Sequence, residues 1–360
     1  MASDVSVMAA DQAKPSDGAS ALRGKISFID LAQNIGLLAV ILFGGLVMSF
    51  LSPVFLSFRN IENVLTSATI IAVVAIGQTF VILVAGIDLS VASILVLSSV
   101  LSVGLVVFND WPVPLAIAAA IGAGAVFGLI NGLAVTRLKI PALIATLATM
   151  SIARGLAYIF SGGTNIAPVP RFFVDFQYAR VFGIPAVIIL TLVLAGIAQI
   201  ILSRTKFGRS VYATGGNPLA ARLAGIHTER VIVLAFVISG VMAAIAGLLI
   251  TARFEAGAAT AAQGMELAVI AAVVIGGVSL FGGEGNMGGM LLGVVLLGLV
   301  QNSVNLLNVP PNWDSVVSGL VIAAAATLDV YRRNYLEAGM RKKVMATKAA
   351  GRSSKQNAGS

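Results

Sequence analysis

VLTSATIIAVVAIGQTFVILVAGIDLSVASILVLSSVLSVGLVVF, residues 64–108, decides the fold. A single ionisable side chain, Asp88, interrupts it. A bilayer core about 30 Å thick is crossed by about 20 helical residues. The run is long enough for two such helices, and Gly86-Ile87-Asp88-Leu89 is the break between them. Working outward on the same criterion gives ten spans, over 31–51, 64–85, 90–108, 113–136, 141–160, 183–203, 231–252, 265–280, 287–306 and 313–331. The eighth is short and ends near Gly276–Gly277. The expected fold is therefore all-α and polytopic.

Composition agrees. Hydrophobic residues are 58% of the chain and charged residues 11%, against roughly 45–50% and 25% in soluble domains. The 38 glycines suit helices that approach closely in lipid. With no cysteine, disulfides, thiolate nucleophiles and cysteine metal sites are excluded.

The net charge of +8 is explained by membrane orientation rather than by nucleic acid. Lys14, Arg23, Lys25, Arg137, Lys139, Arg204, Lys206, Arg209, Arg222, Arg230 and the basic tail from Arg332 to Lys355 all fall on one side of a ten-span chain. Only Arg59, Arg154, Arg171, Arg180 and Arg253 fall towards the other. Basic loops stay cytoplasmic, so both termini are expected inside. Residues 1–30 and 336–360 read as disordered cytoplasmic tails flanking a membrane domain over 31–335.

Gly128-Leu-Ile-Asn131 before Ile140-Pro141 is echoed by Gly298-Leu-Val-Gln301-Asn302 before Val309-Pro310. The two halves straddle opposite faces, the pattern of an inverted repeat. The glycine stripes Gly124/Gly128/Gly132 and Gly285/Gly289/Gly293 do not share its register.

Catalytic and metal residues are not expected. No nucleotide-binding G-x-x-x-x-G-K-[ST] is present. Gly283-Glu-Gly285-Asn-Met-Gly288 matches G-x-G-x-x-G but lacks a βαβ context, and reads as a tight turn at a helix start. His227, the one histidine, has no ligating neighbours in sequence. Asp88 has two readings, a cap at the start of span three or a group in a solute path. The uncharged polar residues of the spans, Gln78, Asn131, Gln301, Asn302 and Asn305, either join helices or offer hydrogen bonds to solute hydroxyls. With Asp88 and Ser90 they form the candidate path.

The internal loop 204–230 is polar and basic. Asn217 is placed to cap a short helix with Pro218 at its first position. Leu219, Arg222 and Leu223 fall at helical spacing, and Gly225 ends the turn. A two-turn helix away from lipid needs a partner, either a soluble subunit or the chain's own helices.

This loop resembles the coupling loop of bacterial ABC-importer permeases for ribose, xylose, galactose and related solutes. The resemblance lies in Gly208-Arg209, Tyr212, Gly215-Gly216-Asn217, Ala220-Ala221-Arg222 and Gly225-Ile226. Gly86-Ile87-Asp88-Leu89-Ser90-Val91 and the glycine-rich turn around Gly276-Gly277 and Gly282-Gly283 are similar to two further motifs of that family. Ala92 departs from the family's usual glycine and Glu284 from its usual Arg or Lys.

The resemblance implies a fold like that of the vitamin-B12 importer, in the inner membrane. It implies a homodimer or heterodimer of permeases, two cytoplasmic ATPases that bind the ATP, and a periplasmic solute-binding protein. The cargo would be a monosaccharide or polyol carried by alternating access. Permeases for branched-chain amino acids or nucleosides share the plan. An ion-coupled secondary transporter is disfavoured because no carboxylate lies mid-span. If the loop couples hydrolysis to movement, Gly216→Trp or Ala221→Asp is expected to leave ATP hydrolysis running while uptake fails. Normal coupled uptake in vesicles would count against the assignment.

Overall fold

The computed structural model describes residues 17–310, with side chains from Asn34 onward, and positions 313, 316, 319, 320, 323 and 327. The chain runs α1 (Asp17–Leu51), α2 (Phe58–Leu83), α3 (Val91–Asn109), α4 (Val113–Thr136), α5 (Ala142–Ser161) and α6 (Arg171–Tyr178). A two-stranded hairpin follows, β1 (Arg180–Val181) and β2 (Ile184–Pro185). Then come α7 (Ala186–Arg204), α8 (Lys206–Gly216), α9 (Pro218–Leu223), α10 (Thr228–Phe254), α11 (Met265–Ile275) and α12 (Met287–Leu306).

Eight of these helices are long and apolar enough to cross a membrane: α1 from Asn34, α2, α3, α4, α5, α7, α10 and α12. They correspond to eight of the ten expected spans. Two expectations change. The eighth span is helical only over the 11 residues of α11, about 16 Å at the helical rise, roughly half a bilayer core. Gly276 caps it, Gly277 turns left-handed at φ +88°, and the chain continues without regular structure to Asn286. The tail expected through residue 30 is helical from Asp17, in keeping with the helix-favouring Ala19, Ala21, Leu22, Arg23 and Lys25. Of the tenth span only those six positions are described, each of them helical, and the C-terminal tail lies outside the described residues.

Burial orders the bundle. In its most apolar window α2 is 83% buried, whereas α1 is 6% buried. The inner helix α2 packs on α10, α12, α11 and α7, and α10 also packs on α3 and α4. Lipid tails are as apolar as leucine, so close van der Waals fit rather than a hydrophobic drive holds such helices together. The α4–α10 seam shows how. Gly124 lies against Gly240 and Ala244, Gly128 against Phe236 and Val237, and Gly132 against Val233. A Cβ on Gly132 would sit 2.7 Å from Val233 Cα. The 124/128/132 stripe is thus a backbone-to-backbone contact.

The bundle has two ends. At one, Arg180 pairs with Glu62, Arg253 donates to Ser67 Oγ (2.7 Å), and Arg154 donates to Ala261 O (3.0 Å). There too Tyr178 donates to Glu255 (3.0 Å), and that carboxylate holds the phenol above its ordinary range. At the other, Lys139 pairs with Glu229 (2.9 Å), Gln199 receives the Met287 N–H (3.1 Å), and α8 and α9 lie against the ends of α2, α7 and α10. The two sets belong to opposite faces of the ten-span reading.

Gly122, on α4 but with open space around its Cβ position, provides an internal control for the glycine seam. Gly128→Leu is expected to destabilise the purified chain by about 1–3 kcal/mol through overpacking, and Gly122→Leu to be near neutral. Equal melting temperatures for the two variants in detergent would refute the seam.

Candidate functional site

The site begins where α2 stops. Ala85 takes a left-handed conformation (φ +61°), the Gly86 N–H returns to Val81 O (2.9 Å), and residues 86–90 run without regular structure to α3. Asp88 is fully buried in this stretch. Its Oδ1 accepts from the Ser90 N–H (3.0 Å) and hydroxyl, and its Oδ2 accepts from the Ser239 hydroxyl of α10 (2.9 Å). Ser90 Oγ accepts from Asn131 Nδ2 of α4 (2.9 Å), and Asn131 Oδ1 accepts from Thr149 Oγ1 of α5 (2.7 Å). With its amide oriented to suit the groups around it, Gln78 of α2 donates to Asp88 O (3.1 Å) and accepts from Asp88 N (3.2 Å).

Four of the seven candidate path residues, Gln78, Asp88, Ser90 and Asn131, are therefore brought together with Ser239 and Thr149. They make one buried polar knot joining α2, α4, α5 and α10 to the stretch that leads into α3. Buried polar groups are costly unless paired, and here each named atom has a partner. In this conformation the knot fastens four helices and the 86–90 stretch together. Asp88 is not the helix cap expected from its position. The residue before α3 is Ser90, which makes no side-chain cap bond, and the carboxylate is taken up by Ser90 and Ser239.

The other three candidates lie elsewhere. Asn302 exchanges amide bonds with Asn60 at the start of α2 (3.0 and 2.9 Å). Gln301 is half-buried and Asn305 is exposed. Ser239, Thr146 and Thr149 were not singled out in the sequence. A serine or threonine in an apolar helix carries no signal of its own, and only the fold brings these hydroxyls to Asp88, Ile87 and Asn131.

The loop over 204–230 is two helices. Thr205 caps α8, its Oγ1 accepting from the Gly208 N–H (3.0 Å), and Gly208 lies tight on the carbonyls of Ile201 and Leu202. Asn217 Oδ1 accepts from the Ala220 N–H (3.0 Å), so Asn217 caps α9 and Pro218 opens it, as expected. At its end the Ile226 N–H reaches Ala221 O (3.0 Å) and the Gly225 N–H reaches Arg222 O (2.9 Å), with Gly225 at φ +83°. This is a Schellman ending, and it needs the left-handed glycine.

The candidate coupling residues divide by face. Gly208, Gly215 and Ala221 point inward and are buried, Ile226 is half-buried, and Tyr212 donates to Gly285 O (2.7 Å). Arg209, Gly216, Asn217, Ala220, Arg222 and Gly225 are exposed. So are Leu219 (69%) and Leu223 (83%), two apolar side chains on a helix of six residues. Gly216 has open space around it, so Gly216→Trp tests the outer surface, whereas Ala221→Asp would also disturb packing.

The inward face meets the knot's surroundings at one junction. The Gly283 N–H donates to Leu83 O at the end of α2 (2.9 Å). A Cβ on Gly215 would collide with that same carbonyl and lie 2.6 Å from Gly283 N. Gly282 fits against Ala85. The end of α2, the end of α8 and the 276–286 turn are thus locked backbone to backbone. The G-x-G-x-x-G stretch is the last part of that turn, where Asn286 caps α12 by accepting from the Gly289 N–H (2.8 Å).

A bundle of membrane-crossing helices around a nearly enclosed α2, with irregular backbone buried inside it, defines a polytopic membrane permease. Residues 60–326 match the family described as the branched-chain amino acid transport system / permease component, and the chain belongs to that family. It is 41% identical over 307 residues to the ribose import permease protein RbsC of Bacillus subtilis, covering 85% of this chain and 95% of that protein. It is 38% identical over 318 residues to the L-arabinose transport system permease protein AraH of Escherichia coli, covering 88% and 96%. The ribose import permease protein RbsC of Haemophilus influenzae is 37% identical over 289 residues, covering 79% and 89%.

Removing the carboxylate should cost more than neutralising it. Asp88→Ala leaves the Ser90 and Ser239 hydroxyls without their acceptor, at about 1–3 kcal/mol for each buried group left unpaired. Asp88→Asn retains one oxygen. The melting temperature should fall in the order wild type, Asp88→Asn, Asp88→Ala, and a wild-type value for Asp88→Ala would contradict the knot.

Proposed function

We propose that the chain is the membrane-spanning permease subunit of an ABC importer for a monosaccharide or related polyol. The observation that carries this is α9. It is a helix capped at both ends that shows Leu219 and Leu223 to solvent while its carrier α8 is locked to the end of α2. An exposed apolar pair on a rigid mount fits a groove on a soluble partner. The chain's sequence holds no P-loop, so ATP would be bound by that partner, a cytoplasmic ATPase.

The charge bias supports a bacterial inner-membrane protein whose α8–α9 end and both termini would lie in the cytoplasm. The opposite end, with α6, the hairpin and the 255–264 loop, would then face a periplasmic solute-binding protein. Ten spans per subunit, a B12-importer-like arrangement and a permease dimer complete the reading.

Movement would pass from the ATPase to α9, through α8 to the Leu83–Gly283 junction, and on to α2 and the knot. Alternating access would require the knot's partners to exchange, since Asp88 ties the end of α2 to α10 through Gln78 and Ser239. Gln78, Asp88, Ser90 and Asn131 would then be the path residues that change partners. Gln301, Asn302 and Asn305 would line the path nearer the other end. The family description names branched-chain amino acids. The sugar class is favoured because the relatives at 36–41% identity are ribose and arabinose permeases.

In proteoliposomes, uptake is expected only when the partner ATPase, ATP and the binding protein are all supplied. Uptake driven by an ion gradient with this chain alone would overturn the proposal. Leu219→Asp and Leu223→Asp, placed at the proposed docking face, should each lower ATP-driven uptake by about tenfold or more. Their melting temperatures should stay at the wild-type value, and full uptake by both variants would remove α9 from the docking face.

A further inference from the structure

A cavity of about 700 Å³ opens between the end of α4 and the start of α10. Its walls differ in chemistry. Leu133, Val233 and Leu234 form one part, and Arg137, Arg222 and Arg230 the other. Glu229 is also in the lining, but Lys139 already pairs with it at 2.9 Å. Arg222 is held by its Nε bond to Thr228 Oγ1 (2.8 Å). The arginines therefore give the mouth a net positive charge.

Depth locates the cavity in the membrane. Helix α4 ends at Thr136 and α10 begins at Thr228, so the arginines sit where two spans leave the hydrocarbon. Leu234 lies six residues into α10, about 9 Å deeper at the helical rise, and Leu133 lies within the last turn of α4. The site is thus cationic at the headgroup level and apolar below it, open at its lipid-facing side through the exposed Leu133 and Leu234. Basic pockets between membrane helices at this level suit phosphate headgroups.

We infer that this cavity binds one anionic phospholipid, its phosphate among Arg137, Arg222 and Arg230 and the top of an acyl chain against Leu133, Val233 and Leu234. A soluble partner could reach the arginines but not the hydrocarbon-level wall. Arg222 belongs to α9 and Ile226 also lines the cavity, so an occupied site would brace the base of the helix proposed to couple to the ATPase. Such a site would exist whatever solute the chain carries.

The test is native mass spectrometry of the full chain in detergent, titrated with phosphatidylglycerol or phosphatidylcholine. Wild type should retain one phosphatidylglycerol in clear preference to phosphatidylcholine. Arg137→Gln/Arg230→Gln should lose that preference by about thirtyfold, from about 1 kcal/mol for each basic residue near a lipid surface. Arg204→Gln/Lys206→Gln, which removes equal charge from the same end, should keep it. Leu234→Trp, which fills the cavity without changing charge, should expel the lipid, and serves if the double arginine variant fails to fold.

Equal loss in both double variants would mean diffuse charge attraction and would overturn the site. So would an unaltered preference in Leu234→Trp. Displacement of the lipid by millimolar inorganic phosphate, with no dependence on the acyl chain, would reassign the cavity to a soluble phosphate. Unchanged lipid binding together with lost ATPase association in Arg137→Gln/Arg230→Gln would make it a partner-docking face instead.

Discussion

The bond from the Gly283 N–H to the Leu83 carbonyl, 2.9 Å long at the end of α2, is the interaction on which the rest of the structure turns. Inside a membrane domain no water is at hand to satisfy broken backbone, so irregular chain survives only where protein supplies the partners. Two such stretches are 84–90 and 276–286, and they meet at the last carbonyl of α2, that of Leu83. The first is closed by its own returns to Val81 and Ile82 and by the Gln78 amide on Asp88. The second is closed by Leu83 and by the Tyr212 hydroxyl on Gly285. Only glycine at 215 lets α8 come close enough to seal the junction.

From that constraint the division of labour follows. Helices α2 and α3 are the most buried, α10 is half buried and matched to α4 by small residues, and α1 shows most of its surface outward. The polar knot around Asp88 sits one short step along the chain from the junction. On the proposed mechanism, a push on α8 would reach the hydrogen-bond network that joins α2, α4, α5 and α10. The cavity beside α9 stands at the same end of the bundle, between the two helices of the 124/128/132 glycine seam.

Much of this was legible in the sequence. Long apolar runs cannot be read otherwise, and eight of the expected spans agree with helices to within a few residues at most ends. The α9 cap was legible because Asn217-Pro218 and Gly225 act through local backbone geometry alone. Helix α8 was not, because Gly208, Gly215 and Gly216 weaken helical propensity, and its stability comes from packing, including Phe207 stacked on Phe80. The break after Ile275 was half-legible as Gly276-Gly277, but a glycine pair does not say whether the helix resumes. Sequence left Asp88 between a cap and a path group, because one of its partners, Ser239, is 151 residues away in sequence. Asn131 and Gln301 hold the same place in the internal echo, yet Asn131 joins the knot while Gln301 lies half-buried on α12.

The central claim is that α8, α9 and the 276–286 turn move as one body with the end of α2. The chain has no native cysteine, so two can be introduced at the exposed Lys206 of α8 and Phe281 of the turn and spin-labelled in the assembled transporter. Pulsed electron resonance then reads the distance between them without nucleotide and with ATP. A distance that stays the same in both states is the predicted result. A change of about one helical turn or more would show α8 sliding past the junction, and would contradict the account.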